Sequence, residues 1–298
     1  MRVLVTGANG LVGSRLTRHL SERGHSVTAV SRGASRLPAT ASFRSCDVTQ
    51  APEVAKVFSE SSPEAVIHCA SMTDVDGCER DPAGAWAANS ASAAHVAAAS
   101  RTAGAHLVHV STDYVFDGQS GPYGEDATPN PRGVYALTKH AGELAVRSLA
   151  GSWAIARTAV VYGWPPAGRP NFGSWLVTAL SQKQPVKLFQ DQFVSPSLAD
   201  NVAEMLAELA ERRLSGIWNA AGAEVVDRVA YGRAVCSLFG LDSSLIAPSR
   251  LADVKLASPR PPRCGLKPDK ALAELSAKPL GLAVALGRFH AAWKLSPA

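Results

Sequence analysis

The stretch "VTGANGLVGSRL", residues 5–16, follows a strand-like run, "RVLVTG" (2–7), and opens a helical pattern. It sets Gly7, Gly10 and Gly13 three residues apart, with Asn9 and Leu11 among them. Backbone amides gathered at a helix N-terminus favour a diphosphate, and glycine lets the phosphate approach with no side chain in the way. The Gly-x-x-Gly-x-x-Gly spacing is one residue longer at its front than the common dinucleotide fingerprint. Three glycines alone carry little. Between a first strand and a first helix they read as a dinucleotide-binding turn, with an ordinary strand–helix connection as the plain alternative.

Outward from this turn, short apolar runs alternate with helical patterns. Runs at 26–32, 42–48, 65–71, 106–111 and 153–163 read as strands; 11–24, 52–61, 81–104 and 134–151 read as helices. Continuous rather than alternating apolar strands imply burial on both faces, and strand–helix repetition implies a doubly wound parallel sheet. The expected fold is therefore α/β, a Rossmann domain over 1–160. After about residue 160 the pattern loosens, with Pro and Gly clustered in 163–173 and 258–268 and shorter helices at about 174–182, 197–213, 226–239 and 269–275. Residues 161–298 are expected to form a smaller, interleaved substrate lobe, with about 190–222, including a strand at 216–222, returning to the Rossmann domain.

The chain has 298 residues, 46% hydrophobic and 18% charged, enough for a sizeable core. No run of about 18 apolar residues exists, so no membrane span is expected. Neither a basic start nor a small-residue cleavage site precedes the first strand, and a secretory signal is not expected. Five scattered cysteines without a Cys-x-x-Cys pair fit reduced thiols in a cytoplasm. The formal charge of +5 is uneven: residues 1–150 carry 13 Lys+Arg against 14 Asp+Glu, and residues 151–298 carry 17 against 11. The second half favours an anionic ligand, while no basic run with interleaved aromatics points to nucleic acid.

At the end of the second strand stand Ser31 and Arg32, where NAD binders usually place an acid. A guanidinium and a hydroxyl suit a 2′-phosphate, which favours NADP(H) over NAD(H); a solvated surface arginine is the other reading. At the next strand end, Asp47 and Val48 either flank the adenine or begin the following helix, with Asp47 as its cap.

"YALTK" places Tyr135 and Lys139 four residues apart, on one helix face. A phenol of pKa about 10 is a poor acid–base group at neutral pH. A neighbouring ammonium favours the phenolate and lowers that value. "HVSTDYVFDG" (109–118) ends a buried strand in Ser111, Thr112 and Asp113, where an α/β protein holds its ligand. Thr112 is then the hydroxyl that orients a substrate oxygen toward Tyr135, with Asp113 beside it on the substrate side. Asn171, Phe172 and Arg260 either meet a nucleotide diphosphate or serve as a loop cap and a surface cation. His68, His109 and His140 have no partners at ligand spacing, and Asp74, Asp76, Glu79 and Asp81 read as a solvated loop and helix start, so no metal site is expected.

With these motifs the chain resembles the extended short-chain dehydrogenases/reductases, and within them the dTDP-4-dehydrorhamnose reductase branch. "STDYVFDG" and "DQFVSPSLAD" (191–200) carry the narrower likeness. The resemblance implies an active triad of Thr112, Tyr135 and Lys139, with Asn89 in support. It implies a diphosphate loop at Gly7, Gly10, Leu11 and Gly13, and a cofactor-lining segment at Cys69, Ala70 and Ser71. The related sugar dehydratases carry Thr-Asp-Glu where this chain has Tyr114 after Asp113, which argues against dehydration. Two residues depart from the branch: Val160 replaces a Trp thought to contact the sugar, although Trp164 follows, and Val194 replaces a Gly. Both are expected near the substrate pocket.

The implied activity is NADPH-dependent reduction of a nucleotide-linked 4-keto-6-deoxy sugar, and a homodimer is compatible with it. Two rivals stand beside it. One is a nucleotide-sugar epimerase or another carbonyl reductase of the same superfamily. The other is a non-catalytic NADP-binding regulatory subunit, since relatives of this branch are regulatory partners of methionine adenosyltransferase.

Overall fold

Six strands, β1 (Arg2–Thr6), β2 (Ser26–Ser31), β3 (Ser42–Ser45), β4 (Ala65–His68), β5 (His106–Thr112) and β6 (Ser152–Thr158), join Gly216–Asn219 in one sheet. The structure is a computed structural model, and it describes residues 1–37, 41–165 and 170–294. The order is 216–219, β6, β5, β4, β1, β2, β3, and every pairing is parallel. The chain runs outward from β1 through β2 to β3, then returns to place β4 on the other side of β1. That reversal opens a crevice at the carboxyl ends of β1 and β4.

Helices α1 (Leu11–Glu22), α2 (Ala51–Ser61), α3 (Val75–Arg80), α4 (Pro82–Trp86), α5 (Ser92–Ala103) and α6 (Val134–Leu149) lie in the first half. They are followed by α7 (Phe172–Ser181), α8 (Ala199–Glu211), α9 (Arg228–Phe239), α10 (Asp269–Glu274) and α11 (Leu282–Lys294). One face of the sheet packs Val3, Val5 and Ile67 against Leu16 and Leu20 of α1 and Val202, Leu206 and Leu209 of α8. The other packs Leu4, Val66 and Leu107 against Val54 and Phe58 of α2 and Val96 of α5. Each such Leu or Val contributes about 1.5–3 kcal/mol on burial. Two-sided packing is why these strands are apolar throughout. A separate core joins α7, α9 and α11 to the parallel pair Val186–Phe189 and Ile246–Ser249.

Three local readings need correction. The apolar run 153–163 is not one strand: β6 stops at Thr158, and Val161–Tyr162 pairs with Ser197–Leu198 in a separate sheet. Val160 makes the bend with φ +39°, an uncommon conformation for a β-branched residue. The helical run 81–104 is interrupted by a π-turn over Ala87–Ala91 that carries Asn89. The acidic segment does start helices, α3 after Asp74 and α4 after Asp81, but it is not a merely solvated loop. Asp76 pairs with Arg260, Glu79 accepts from Val134 N and Ser258 Oγ, and Asp81 caps α4 through Gly84 N. Residues 166–169 of the Pro/Gly cluster lie outside the described residues.

Candidate active site

A cleft of about 830 Å³ runs along the carboxyl ends of β1, β2, β4, β5 and β6. Its floor is the glycine turn. Gly10 N donates to Gly7 O at 2.8 Å, and among the described residues no side chain caps the first amides of α1. Those amides therefore face the cleft with their hydrogen-bonding capacity unused. Gly7 has φ +66°, and a Cβ there would stand 2.7 Å from Ala70 N; a Cβ on Gly13 would stand 2.3 Å from Gly7 O. A side chain at either position would push this backbone apart, so the glycines keep the turn tight and its amides gathered as a dinucleotide diphosphate requires.

At one end the cleft is walled by Ser31, Arg32, Val48 and Arg36. Arg36 is not marked by the sequence motifs. Asn9 fixes the segment that carries both arginines: its Oδ1 accepts Arg36 N at 2.9 Å and its Nδ2 donates to Ala34 O at 3.0 Å. Asp47 is not in the cleft wall. Its carboxylate accepts Thr49 N and Thr49 Oγ1, a turn ahead of α2.

At the other end Cys69, Ala70, Ser71, Thr112, Tyr135 and Lys139 share the wall. The four-residue spacing on α6 does place Tyr135 and Lys139 together in the cleft. Lys139 Nζ donates to Val110 O at 2.7 Å, and burial lowers the ammonium to about 8 against the opposing charge of Glu143. Beneath it His68 and His109 stack at 5.3 Å. Burial and the Lys139 charge hold both imidazoles well below their ordinary value, His68 at about 3, so no second positive charge competes under the lysine.

Tyr135 differs from the sequence expectation. Burial pushes its phenol well above the ordinary value, and the opposing pull of the Thr112 hydroxyl is smaller. In the protein alone, desolvation outweighs any help from the ammonium, and the phenol holds its proton at neutral pH.

Asn89 does not reach the cleft. Its Oδ1 accepts Ser71 Oγ and Met72 N, both at 2.8 Å, while Nδ2 donates to Met72 O and Thr138 Oγ1. It ties Ser71 and Met72 to Thr138 of α6 from behind the cleft wall. A second tie lies one turn beyond Lys139, where Glu143 takes a bidentate pair from Arg157 of β6 (2.8 and 2.9 Å) and Ser111 Oγ at 2.6 Å. Removing one partner of such a buried pair costs about 3–5 kcal/mol, so α6 is firmly registered on β5 and β6.

The outer wall holds Asp113, Tyr114, Val160, Asn171, Phe172, Arg228 and Arg260. Tyr114 meets Tyr135 edge-on at 5.7 Å. Arg260 is neither a free cation nor solvated, since Asp76 holds it at 2.7 and 3.1 Å. Asn171 is a helix cap: it accepts Ser174 N and donates to Gly163 O. Arg228, which no spacing marks in the sequence, stands over the Phe172 ring at 4.5 Å and donates to Gln192. The two branch departures separate. Val160 faces the cleft, whereas Val194 is buried outside its wall, in a strand paired with Val226–Asp227. Trp164 does not take the place of a tryptophan at 160, because it stacks on Phe289 of α11 at 4.7 Å.

An amide cradle, two arginines at one end and a buried hydroxyl–phenol–ammonium set at the other together suit hydride exchange with a nicotinamide dinucleotide. The comparisons agree. The RmlD substrate binding domain model matches residues 1–292. A probable low-salt glycan biosynthesis reductase of Haloferax volcanii is 36% identical over 278 residues, 92% of each chain. A dTDP-4-dehydrorhamnose reductase of Streptomyces griseus is 40% identical over 217 residues, 72% of this chain and 67% of its own. The crystal structure of a dTDP-4-dehydrorhamnose reductase from Bacillus anthracis in complex with NADP superposes with a TM-score of 0.88 at 27% identity, covering 98% of this chain and 99% of that one. The chain belongs to the RmlD substrate binding domain family, a family of NAD(P)-dependent reductases.

Proposed function

We propose that the chain reduces the 4-keto group of a nucleotide-linked 6-deoxy sugar, using NADPH in preference to NADH. The observation that carries this reading is the convergence of Thr112, Tyr135 and Lys139 on the same cleft as the glycine cradle. A reduced nicotinamide, when bound, supplies the hydride to the carbonyl carbon. Thr112 donates a hydrogen bond to the carbonyl oxygen, and Tyr135 gives that oxygen its proton, leaving an alcohol and a phenolate. Lys139, one helical turn on, stabilises the phenolate electrostatically. The phenol raised by burial is in the right state for this direction, since reduction begins with a proton on Tyr135.

Ser31, Arg32 and Arg36 support NADPH, as two cations and a hydroxyl at the end that would hold the 2′-phosphate. Arg228, with Phe172, is the cation we assign to the sugar nucleotide's diphosphate, because Asp76 already neutralises Arg260. The test is a panel of nucleoside diphosphate sugars, with and without a 4-keto group, read by loss of reduced-nicotinamide absorbance. Turnover confined to 4-keto sugars is expected. Tightly held NAD with no net cofactor turnover would instead identify an epimerase.

A further inference from the structure

We propose that Asp113 works as a neutral carboxylic acid whose O–H donates to the Thr112 hydroxyl, turning the Thr112 hydrogen toward the reacting oxygen. The proposal rests on the reductase reading, because it needs Thr112 to meet a substrate carbonyl. A threonine hydroxyl carries one hydrogen and can accept two. Thr112 Oγ1 accepts Tyr114 N at 3.2 Å, lies 3.1 Å from Asp113 Oδ1 and, on the cleft side, faces the Tyr135 phenol, toward which only its own hydrogen can be given.

If Asp113 is a carboxylate, it can only accept. The one Thr112 hydrogen then points at Asp113, and none is left for substrate. If Asp113 carries a proton, the bond reverses. The Thr112 oxygen accepts from Tyr114 N–H and Asp113 O–H, and its own hydrogen is free to face the cleft. Only the second arrangement lets Thr112 do what the reaction asks.

The surroundings favour the neutral acid independently. Asp113 is 2% exposed, and its Oδ2 is buried without a hydrogen-bond partner among the described residues. A bare carboxylate oxygen in that position costs far more than the carbonyl oxygen of an acid. The groups that face Asp113 are Arg228 at the start of α9, Tyr114 beside it, Tyr135 on α6 and Cys264, whose thiol donates to the Asp113 carbonyl. Arg228 is the one cation among them, and its guanidinium is engaged by Gln192 and the Phe172 ring. Burial prevails over the hydrogen bond from Thr112 and the charge of Arg228, and lifts the carboxyl to about 7. A carboxyl kept neutral by an apolar site so that it can donate has a precedent in enzyme oxyanion holes.

The test compares kcat against pH for the wild type, Asp113→Asn and Asp113→Ala, with NADPH affinity followed by fluorescence. An asparagine amide can donate to Thr112 but cannot ionise. Asp113→Asn should keep kcat within about threefold of wild type on the acid side, and its alkaline fall should move up to that of Lys139. Asp113→Ala should lose about tenfold or more in kcat on the acid side, a gap that closes as the wild-type carboxyl ionises, with KM for NADPH unchanged. An asparagine variant as poor as the alanine variant, or one with the wild-type alkaline limb, would overturn the proposal. Should the variants not fold, wild-type protein labelled with carbon-13 aspartate reads the carboxyls directly and needs no substrate. One aspartate titrating near or above neutrality is expected; all of them titrating in the ordinary acidic range would overturn it. Absence of turnover across the sugar panel would strike the reductase reading alone, since the labelled titration still reports the state of Asp113.

Discussion

Replacing Gly13 by alanine separates cofactor binding from stability. A Cβ there would lie 2.3 Å from Gly7 O, 2.8 Å from Gly7 C and 2.9 Å from Ala8 Cα. All three are backbone atoms, so no side chain can swing aside. Ordinary C···O contacts are about 3.3–3.6 Å, so the turn and α1 must part by roughly 1 Å. Inserting a methyl into a packed site costs about 1–3 kcal/mol, and alanine's helix propensity returns nearly 1 kcal/mol of it. The net loss of stability is about 2 kcal/mol or less, a shift in Tm of a few degrees. The cradle suffers more, because a displacement of about 1 Å in an oriented site can cost about 100-fold. The assay is a fluorescence titration with NADPH beside a thermal melt. Gly24→Ala is the control: Gly24 has φ +81° with nothing within 4 Å, so it should lose some stability and no affinity. Gly13→Ala protein binding NADPH within about threefold of wild type would refute the cradle.

Arg32→Ala and Arg36→Ala should each weaken NADPH binding by about 10- to 100-fold, the worth of one charge-assisted hydrogen bond, and leave NADH nearly unchanged. An NADPH to NADH preference that neither substitution moves would contradict the assignment. Glu143→Gln should destabilise the protein by about 3 kcal/mol at neutral pH. Burial would raise the Glu143 carboxyl, but the hydrogen bonds from Arg157, His140 and Ser111 and the Arg157 charge together outweigh it and hold the group at about 2. Its folded value is therefore below the unfolded one, and its contribution is complete above about pH 4.5 and lost as pH falls toward about 2. Urea unfolding of both proteins across that window should show the gap narrowing; a constant gap would contradict the buried pair's role.

The Rossmann half was readable because its signals are local. A glycine turn, continuous apolar strands and a Tyr-x-x-x-Lys pair each declare their geometry within a dozen residues, and all lie where expected except the run 153–163, which breaks after Thr158. What escaped depends on contacts distant in sequence. Arg228 enters the cleft only because α9 packs beside α7, and Arg260 is neutralised by Asp76, 184 residues away. Asn89 carries no sign that its hydrogen bonds hold Ser71 and Met72 from outside the cleft. Val160 reads as a strand residue, since nothing in a β-branched side chain announces a positive φ. Helix α11 has Gly287 within it and is held by the burial of Ala285, Leu286 and Phe289 against α9 and its neighbours, so its order comes from packing rather than propensity.

The claim on which the account turns is that the Tyr135 phenol delivers the proton. Single-turnover kinetics of Tyr135→Phe with saturating NADPH and a 4-keto nucleotide sugar test it directly. The account predicts NADPH affinity within about threefold of wild type and a hydride-transfer rate lower by about 100- to 10,000-fold. Transfer at the wild-type rate from the phenylalanine variant would contradict it.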